Sequence, residues 1–172
     1  MKTIGKTFLI LAACASLSYC HVKYTMTGAS ISPNTKTISV AYFPNRAPLV
    51  NPTLSQELTE GLKDKFISQT SLNMVNGDGD LSFEGEITGY DTKPIAITGN
   101  DQTDKASLNR LTITVKVKFA NEQDPKNNFE TQFSAYEDYD SSQGLDEVEG
   151  KLVPLILEKL IEDIFNKSVV NW

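Results

Sequence analysis

The most regular hydrophobic pattern in the chain is the segment LTITVKVKF, residues 111–119. Apolar side chains occupy every second position, and the positions between them hold Thr112, Thr114, Lys116 and Lys118. Because the side chains of a β-strand alternate between two faces, this pattern predicts a long strand with one apolar and one polar face.

Three more segments have the composition of strands, namely residues 36–43, 81–90 and 129–139. In the second of them the odd-numbered positions are apolar or glycine, so we expect these positions to face the core. Gly85 and Gly89 would then let a neighbouring side chain or helix approach closely. The third is predicted to return antiparallel to residues 111–119 after a hairpin loop at 121–128.

Residues 51–67 have the period of an amphipathic helix. Its predicted apolar stripe consists of Leu54, Leu58, Leu62, Phe66 and Ile67. Asn51 suits the N-cap and Pro52 the first helical position. Gly61 lies on the same side as the stripe, and we expect it to let the helix approach a sheet closely.

A second amphipathic helix is predicted near the C-terminus. Its apolar stripe consists of Leu157, Leu160, Ile161, Ile164 and Phe165. Pro154 lacks the backbone N–H that a helix interior needs, so we expect the helix to start near this residue or to kink there.

Two further segments are predicted to be connections. NGDGD, residues 76–80, contains two turn dipeptides and favours a hairpin turn between two strand-like runs. It also resembles part of a calcium loop, but the full twelve-residue pattern with its closing Glu is absent. Residues 91–107 are predicted to form a long polar loop, and loops of this length are often functional.

The order of these elements, β-α-β-β-β-α, predicts an α+β fold. Two amphipathic helices each need an apolar surface, and alternating strands offer one. We therefore expect a two-layer sandwich, with a mostly antiparallel four-stranded sheet and both helices on one face. The opposite face of the sheet would be polar.

The N-terminus has the layout of a secretory signal peptide. Lys2 and Lys6 precede a short apolar run at residues 8–13, which falls short of the roughly 20 residues that span a bilayer. Leu11-Ala12-Ala13-Cys14 resembles the lipobox of bacterial lipoproteins, so Cys14 is the predicted lipid attachment site. Cys20 is the alternative, although the bulky Tyr19 precedes it.

These features divide the chain into a signal peptide at 1–13, a lipid-anchored tether and entry segment at 14–35, and one domain at 36–172. Neither cysteine is closely followed by Asp or Glu. Under the sorting logic of bacterial lipoproteins, this predicts the cell outer membrane, on its periplasmic side.

Charge and composition exclude several classes of function. The formal net charge is −6, which argues against binding to nucleic acid. His21 is the one histidine of the chain, so we expect no metal site of several His or Cys ligands and no Ser-His or Cys-His catalytic machinery. We predict that the protein is not an enzyme and uses no cofactor.

Arg110, Lys116 and Lys118 are predicted to lie in one row on the polar face of the longest strand. This local concentration of positive charge could contact an anionic glycolipid or the acidic wall of a β-barrel. The alternative is a solvated face whose lysines protect a strand edge.

Four segments give the chain a family resemblance, namely residues 24–66, 79–97, 109–121 and the ending IFNKSVVNW at 164–172. The chain resembles the LptE family of lipopolysaccharide-assembly lipoproteins, in its Bacteroidetes form. The resemblance implies an outer-membrane lipoprotein with a two-layer α/β fold and no catalysis. It also implies a plug in the lumen of the LptD β-barrel, which assists barrel assembly and the insertion of lipopolysaccharide.

Two points remain open from the sequence. In many relatives the lipidated cysteine lies only a few residues before the Tyr-x-x-x-Gly stretch, which begins here at Tyr24, and this spacing favours Cys20. A different class also fits, namely a lipid-anchored periplasmic binding module that holds a small ligand or peptide near Gly85 and Gly89.

Overall fold

The computed structural model describes residues 31–49, 51–96 and 107–169 of the chain. The elements in chain order are β1 (Thr37–Val40), α1 (Leu54–Gln69), β2 (Asn73–Met74), β3 (Leu81–Ala96), β4 (Ser107–Asn121), a 3₁₀ turn (Pro125–Asn127), β5 (Phe129–Asp140) and α2 (Leu145–Val169). The predicted signal peptide, both cysteines and most of the tether lie outside the described residues.

The strands form one mixed sheet in the order β2-β1-β3-β4-β5. Strand β1 pairs in parallel with β2 and β3, whereas β3, β4 and β5 form an antiparallel meander. The α+β sandwich with two helices on a mostly antiparallel sheet is therefore confirmed. The sheet has five strands instead of the predicted four, because the two-residue β2 adds an edge.

The hairpin predicted at residues 76–80 is wrong, because β1 lies between β2 and β3. The connection crosses β1 closely, since a Cβ on Gly79 would lie 2.9 Å from the backbone nitrogen of Ser39. Asp80 then caps the start of β1: its Oδ2 accepts hydrogen bonds from the backbone nitrogens of Lys36 and Thr37, at 2.8 and 2.9 Å. This carboxylate therefore has a structural role.

The long polar loop predicted at 91–107 is wrong at both ends. Strand β3 continues to Ala96, and β4 already begins at Ser107. The two strands stay in register along this extension, for example at Lys93 opposite Arg110. Ladder hydrogen bonds satisfy the backbone here, so polar side chains do not prevent strand formation.

A β-bulge changes which side chains of β3 face the core. The register shifts between Ile87 and Gly89, and beyond the shift Tyr90 is 2 % exposed instead of facing outward. Gly85 faces inward as predicted, with the Phe43 ring against it, whereas Gly89 now faces Thr114 on the other side. One extra residue inverts the alternation.

The start of α1 depends on Asn51, although the helix itself begins at Leu54. The side-chain oxygen of Asn51 accepts hydrogen bonds from the backbone nitrogens of Thr53 and Leu54, at 2.9 and 3.1 Å. Asn51 therefore satisfies donors that the first turn leaves unpaired. The predicted stripe is buried except for Ile67, which is 55 % exposed.

Helix α2 begins at Leu145, well before Pro154, so the predicted start near the proline is wrong. Val148, Leu152 and Val153 are buried in this first part, and their burial offsets the hydrogen bond that Pro154 cannot make. Gly61 of α1 approaches α2 and not the sheet, because a Cβ there would lie 2.6 Å from Cδ1 of Ile161.

The core lies between the helices and one face of the sheet. A row of aromatic rings crosses it, with successive centroids 4.8–5.2 Å apart, in the order Phe165, Phe66, Phe83, Phe119 and Phe129. The row joins α2, α1, β3, β4 and β5. Burial of these large rings contributes to holding the two layers together.

Candidate functional site: the open face of the sheet

Both helices pack on one face of the sheet, and the other face of β3, β4 and β5 is polar. We call it the open face. Its side chains are Glu84, Glu86, Asp91 and Lys93 from β3, Arg110, Thr112, Thr114, Lys116 and Lys118 from β4, and Glu130, Gln132, Ser134, Tyr136 and Asp138 from β5. The open face therefore contains the whole predicted cation row.

Arg110 is held by two neighbours on β5. Its Nε and Nη2 donate to the two carboxylate oxygens of Asp138, at 2.7 and 2.9 Å, and its guanidinium lies 3.6 Å from the ring centroid of Tyr136. The hydrogen bond from Arg110 lowers the pKa of Asp138. A bidentate pair of this kind keeps both groups ionised and oriented.

The two lysines are also paired. Lys116 Nζ lies 2.5 Å from Glu130, and Lys118 Nζ lies 3.1 Å from Glu84. The hydrogen bond between Lys116 and Glu130 raises the pKa of the lysine and lowers the pKa of the carboxyl. The predicted row of positive charge is therefore a lattice of alternating charges, with an acid beside each cation.

These lysine pairs are exposed and can exchange partners. Their side chains are between 50 and 63 % exposed, and ion pairs exposed to this degree contribute little to stability. A partner that offers charges of either sign can replace one member of a pair without disturbing the core. The open face can therefore bind a polar surface with complementary charges.

A binding module would need space on the inner side of Gly85. The Phe43 ring fills this space, because a Cβ on Gly85 would lie 2.5 Å from it. On the open face itself, a shallow depression of about 250 Å³ lies near Gly85. Its lining is charged, with Glu84, Glu86 and Glu130 facing Lys116 and Lys118. This lining suits contact with a charged surface better than enclosure of a small ligand.

A half-buried polar cluster was not predicted from the sequence. The hydroxyl of Tyr90 donates to Oε1 of Glu149, and Nδ2 of Asn51 donates to the same oxygen at 2.8 Å. Burial, together with the hydrogen bond to Glu149, raises the pKa of Tyr90. The cluster joins α1, β3 and α2 at one end of the sandwich, and the Gly89 bulge was its one sequence signal.

Metal binding and membrane spanning receive no support from the described part of the chain. In it, no group of three or more His, Cys, Asp or Glu side chains is placed to hold a metal ion. In the same residues, no helix is both long enough and apolar enough to cross a bilayer.

The described residues form an α+β domain in which one sheet face is covered by helices and the other is polar. The chain belongs to the LptE family, described as lipopolysaccharide-assembly, whose model matches residues 35–168. It is thus a lipopolysaccharide-assembly lipoprotein of this family and not an enzyme. A search of curated proteins finds no match.

Solved structures with the same fold share little sequence identity with this chain. A minor lipoprotein from Acinetobacter baumannii has a TM-score of 0.51 at 15% identity, covering 77% of this chain and 91% of its own. A hypothetical protein from Chlamydia trachomatis has a TM-score of 0.53 at 9% identity, and the match covers 80% of this chain and 99% of that protein. A neuraminyllactose-binding hemagglutinin homologue from Helicobacter pylori has a TM-score of 0.52 at 11% identity, and the match covers 83% of this chain and 87% of that protein. At these identities the likeness shows the fold alone.

Proposed function

We propose that this protein is the Bacteroidetes form of LptE and occupies the lumen of an LptD-type β-barrel. It is anchored by lipid to the periplasmic side of the outer membrane. There it helps the barrel assemble and acts with it in the transport and insertion of lipopolysaccharide. The observation that carries this proposal is the open face, a polar sheet surface opposite the mostly apolar face that the helices cover.

The lumen of a large outer-membrane barrel is polar, so a plug needs a polar surface that carries both charges. The open face offers Arg110, Lys116 and Lys118 beside their acidic partners. In the proposed complex, Lys116 and Lys118 exchange an internal acid for an acidic group of the barrel wall or of lipopolysaccharide, whereas Arg110 keeps its bidentate pair with Asp138. Because the exchanged pairs are exposed, the exchange costs little.

The anchor in this proposal is Cys14, with Cys20 as the alternative. Several acyl chains on one cysteine give durable membrane attachment, whereas a single chain binds only marginally. Labelling cells with radioactive palmitate tests this part. The label is expected in the wild type and in Cys20→Ser and absent in Cys14→Ser; the reverse pattern assigns the anchor to Cys20.

The barrel partner is tested by affinity purification from detergent-solubilised outer membrane, with mass spectrometry of the proteins that co-elute. We expect one large β-barrel in stoichiometric amount together with lipopolysaccharide. Elution of the protein alone, from a membrane rich in such barrels, would contradict the plug and favour a separate binding module.

A charge-reversed pair of variants locates the contact. We expect Lys116→Glu/Lys118→Glu to reduce recovery of the barrel or of lipopolysaccharide while the circular dichroism spectrum stays unchanged. The control, Lys63→Glu/Lys151→Glu, makes the same change of charge on the helical layer. Equal recovery of the barrel and of lipopolysaccharide with both variants would show that the two lysines are not part of the contact.

A further inference from the structure

The two edges of the sheet differ in length. At one edge, β2 has only two residues and pairs with β1. At the other edge, β5 has twelve residues and pairs with β4 over its whole length without a register shift. Within the described residues no strand pairs with the outer side of β5. A long, regular edge of this kind is a template for another strand.

The hydrogen-bond pattern shows which residues of β5 are available. Ser141 N donates to Ser107 O at 3.0 Å, so odd-numbered residues point their backbone groups toward β4. Even-numbered residues point away from β4, and the carbonyl of Tyr136 accepts a hydrogen bond from Lys159 of α2 at 3.3 Å. The backbone donors and acceptors on the outer edge therefore belong to Glu130, Gln132, Ser134, Tyr136 and Asp138, and of these the Tyr136 carbonyl is already bound by Lys159.

A groove of about 730 Å³ lies along this edge, between β5 and α2. Its lining is Ser134, Ala135 and Tyr136 from β5, and Glu158, Lys159, Glu162 and Asp163 from α2. Lys159 pairs with Glu137, and Glu162 pairs with Lys65. Glu158 and Asp163 have no ion-pair partner among the residues that the structure describes, so the wall of the groove is acidic.

We propose that the β5 edge binds an extended, lysine- or arginine-rich segment of a separate polypeptide by β-augmentation. The segment pairs with the even-numbered backbone groups of β5, and its cations reach Glu158 and Asp163. In β-augmentation, main-chain hydrogen bonds provide affinity and the neighbouring side chains provide specificity. This inference does not depend on the identity of the barrel partner proposed above.

Charge argues against a second copy of this chain as the occupant. Two β5 strands that pair antiparallel about Ser134 place Glu130 of one copy opposite Asp138 of the other, and like charges in directly opposite positions are destabilising. The net charge of −6 on each chain adds to the repulsion. A lysine- or arginine-rich strand would instead place positive charges opposite Glu130 and Asp138.

Amide hydrogen exchange of the full chain in detergent tests the proposal. The probe is a capped octapeptide in which lysine alternates with threonine or valine, and the control peptide has glutamate in place of lysine. In the free protein we expect fast exchange at the even-numbered amides from 130 to 138 and slow exchange at the odd-numbered ones. The lysine peptide should slow exchange at the even-numbered amides. The dissociation constant of the glutamate peptide should be higher by about tenfold or more.

Variants separate backbone pairing from charge attraction. Proline is tolerated on an edge strand where its nitrogen faces solvent, so Ser134→Pro should fold and weaken peptide binding about tenfold, whereas Ser134→Ala should not. Glu158→Lys/Asp163→Lys should also weaken binding. The control, Glu60→Lys/Asp64→Lys on α1, should leave it unchanged.

Three results would overturn the proposal. Peptide binding without protection of the even-numbered amides would mean attraction by charge alone. Protection that appears without peptide as the protein concentration rises would assign the edge to a second copy. Protection that is present without peptide at every concentration would assign the edge to another segment of this chain.

Discussion

The two faces of β4 show how differently one strand can be used. On the inner face, Leu111, Ile113, Val115 and Val117 are fully buried, and β4 packs against both neighbouring strands and the helical layer. On the open face, Lys116 and Lys118 are at least half exposed and meet acids of the adjacent strands. The inner face holds the domain together, whereas the open face is available for contact with another molecule.

This difference follows from the size of the two kinds of interaction. Burying a large apolar side chain contributes about 1.5–3 kcal/mol, whereas an exposed ion pair contributes about 0–1 kcal/mol. The pairs of the open face can therefore be rearranged by a partner while the fold persists.

Removing an aromatic ring from the inner face should have the largest effect. Phe83 is 1 % exposed and contacts both Phe66 and Phe119, so Phe83→Ala should lower the free energy of unfolding by about 3–5 kcal/mol. Urea denaturation followed by circular dichroism measures this. The control is Glu84→Ala, at the next residue of the chain, whose side chain lies on the open face. Its free energy of unfolding should stay within about 0.5 kcal/mol of the wild-type value. Similar losses for both variants would contradict the comparison.

Adding a methyl group at Gly85 should have an intermediate effect. A Cβ there would crowd the Lys116 carbonyl and lie 2.5 Å from the Phe43 ring, so Gly85→Ala should cost about 1–3 kcal/mol by overpacking. Gly150 in α2 has no neighbouring atom within 4 Å of such a Cβ. Gly150→Ala should therefore stabilise by up to about 1 kcal/mol, because alanine favours the helix. In the same denaturation assay, the changes in the free energy of unfolding of the two variants should have opposite signs.

Acid titration of the open face should have the smallest effect. The hydrogen bond from Arg110 lowers the pKa of Asp138 below the usual value of an aspartate. A carboxyl with a lowered folded-state pKa stabilises the protein above its unfolded pKa, and this stabilisation is lost as the pH falls through the folded value. The difference in urea midpoint between wild type and Asp138→Asn should be present at pH 7 and shrink below about pH 4. A difference independent of pH would contradict the role of this charge.

The sequence predicted the fold class well because burial has a simple period. Alternation along 111–119 identified β4, and the four-residue repeat from Leu54 to Phe66 identified α1. The cation row was also placed correctly on one face. Its acidic partners were not predicted, because Glu84, Glu130 and Asp138 come from other strands and meet the cations only through the sheet register.

The errors share one physical cause, namely contacts between residues distant in the chain. The bulge that turns Tyr90 inward is stabilised by Asn51 and Glu149, and no local pattern contains all three. Ile67 has the period of the α1 stripe but lies outside the area that the sheet and α2 cover. Pro154 stays within a helix because the preceding turns bury apolar side chains.

The sequence by itself determined the two layers, the apolar faces and the position of the charged row, because each depends on the spacing of side chains along one element. Tertiary structure alone decided the placement of β1 between β2 and β3, the pairing of each open-face cation with an acid, and the position of β5 at one edge of the sheet. These features depend on which elements become neighbours, and the neighbours are chosen by the total burial of the folded chain and not by any one segment.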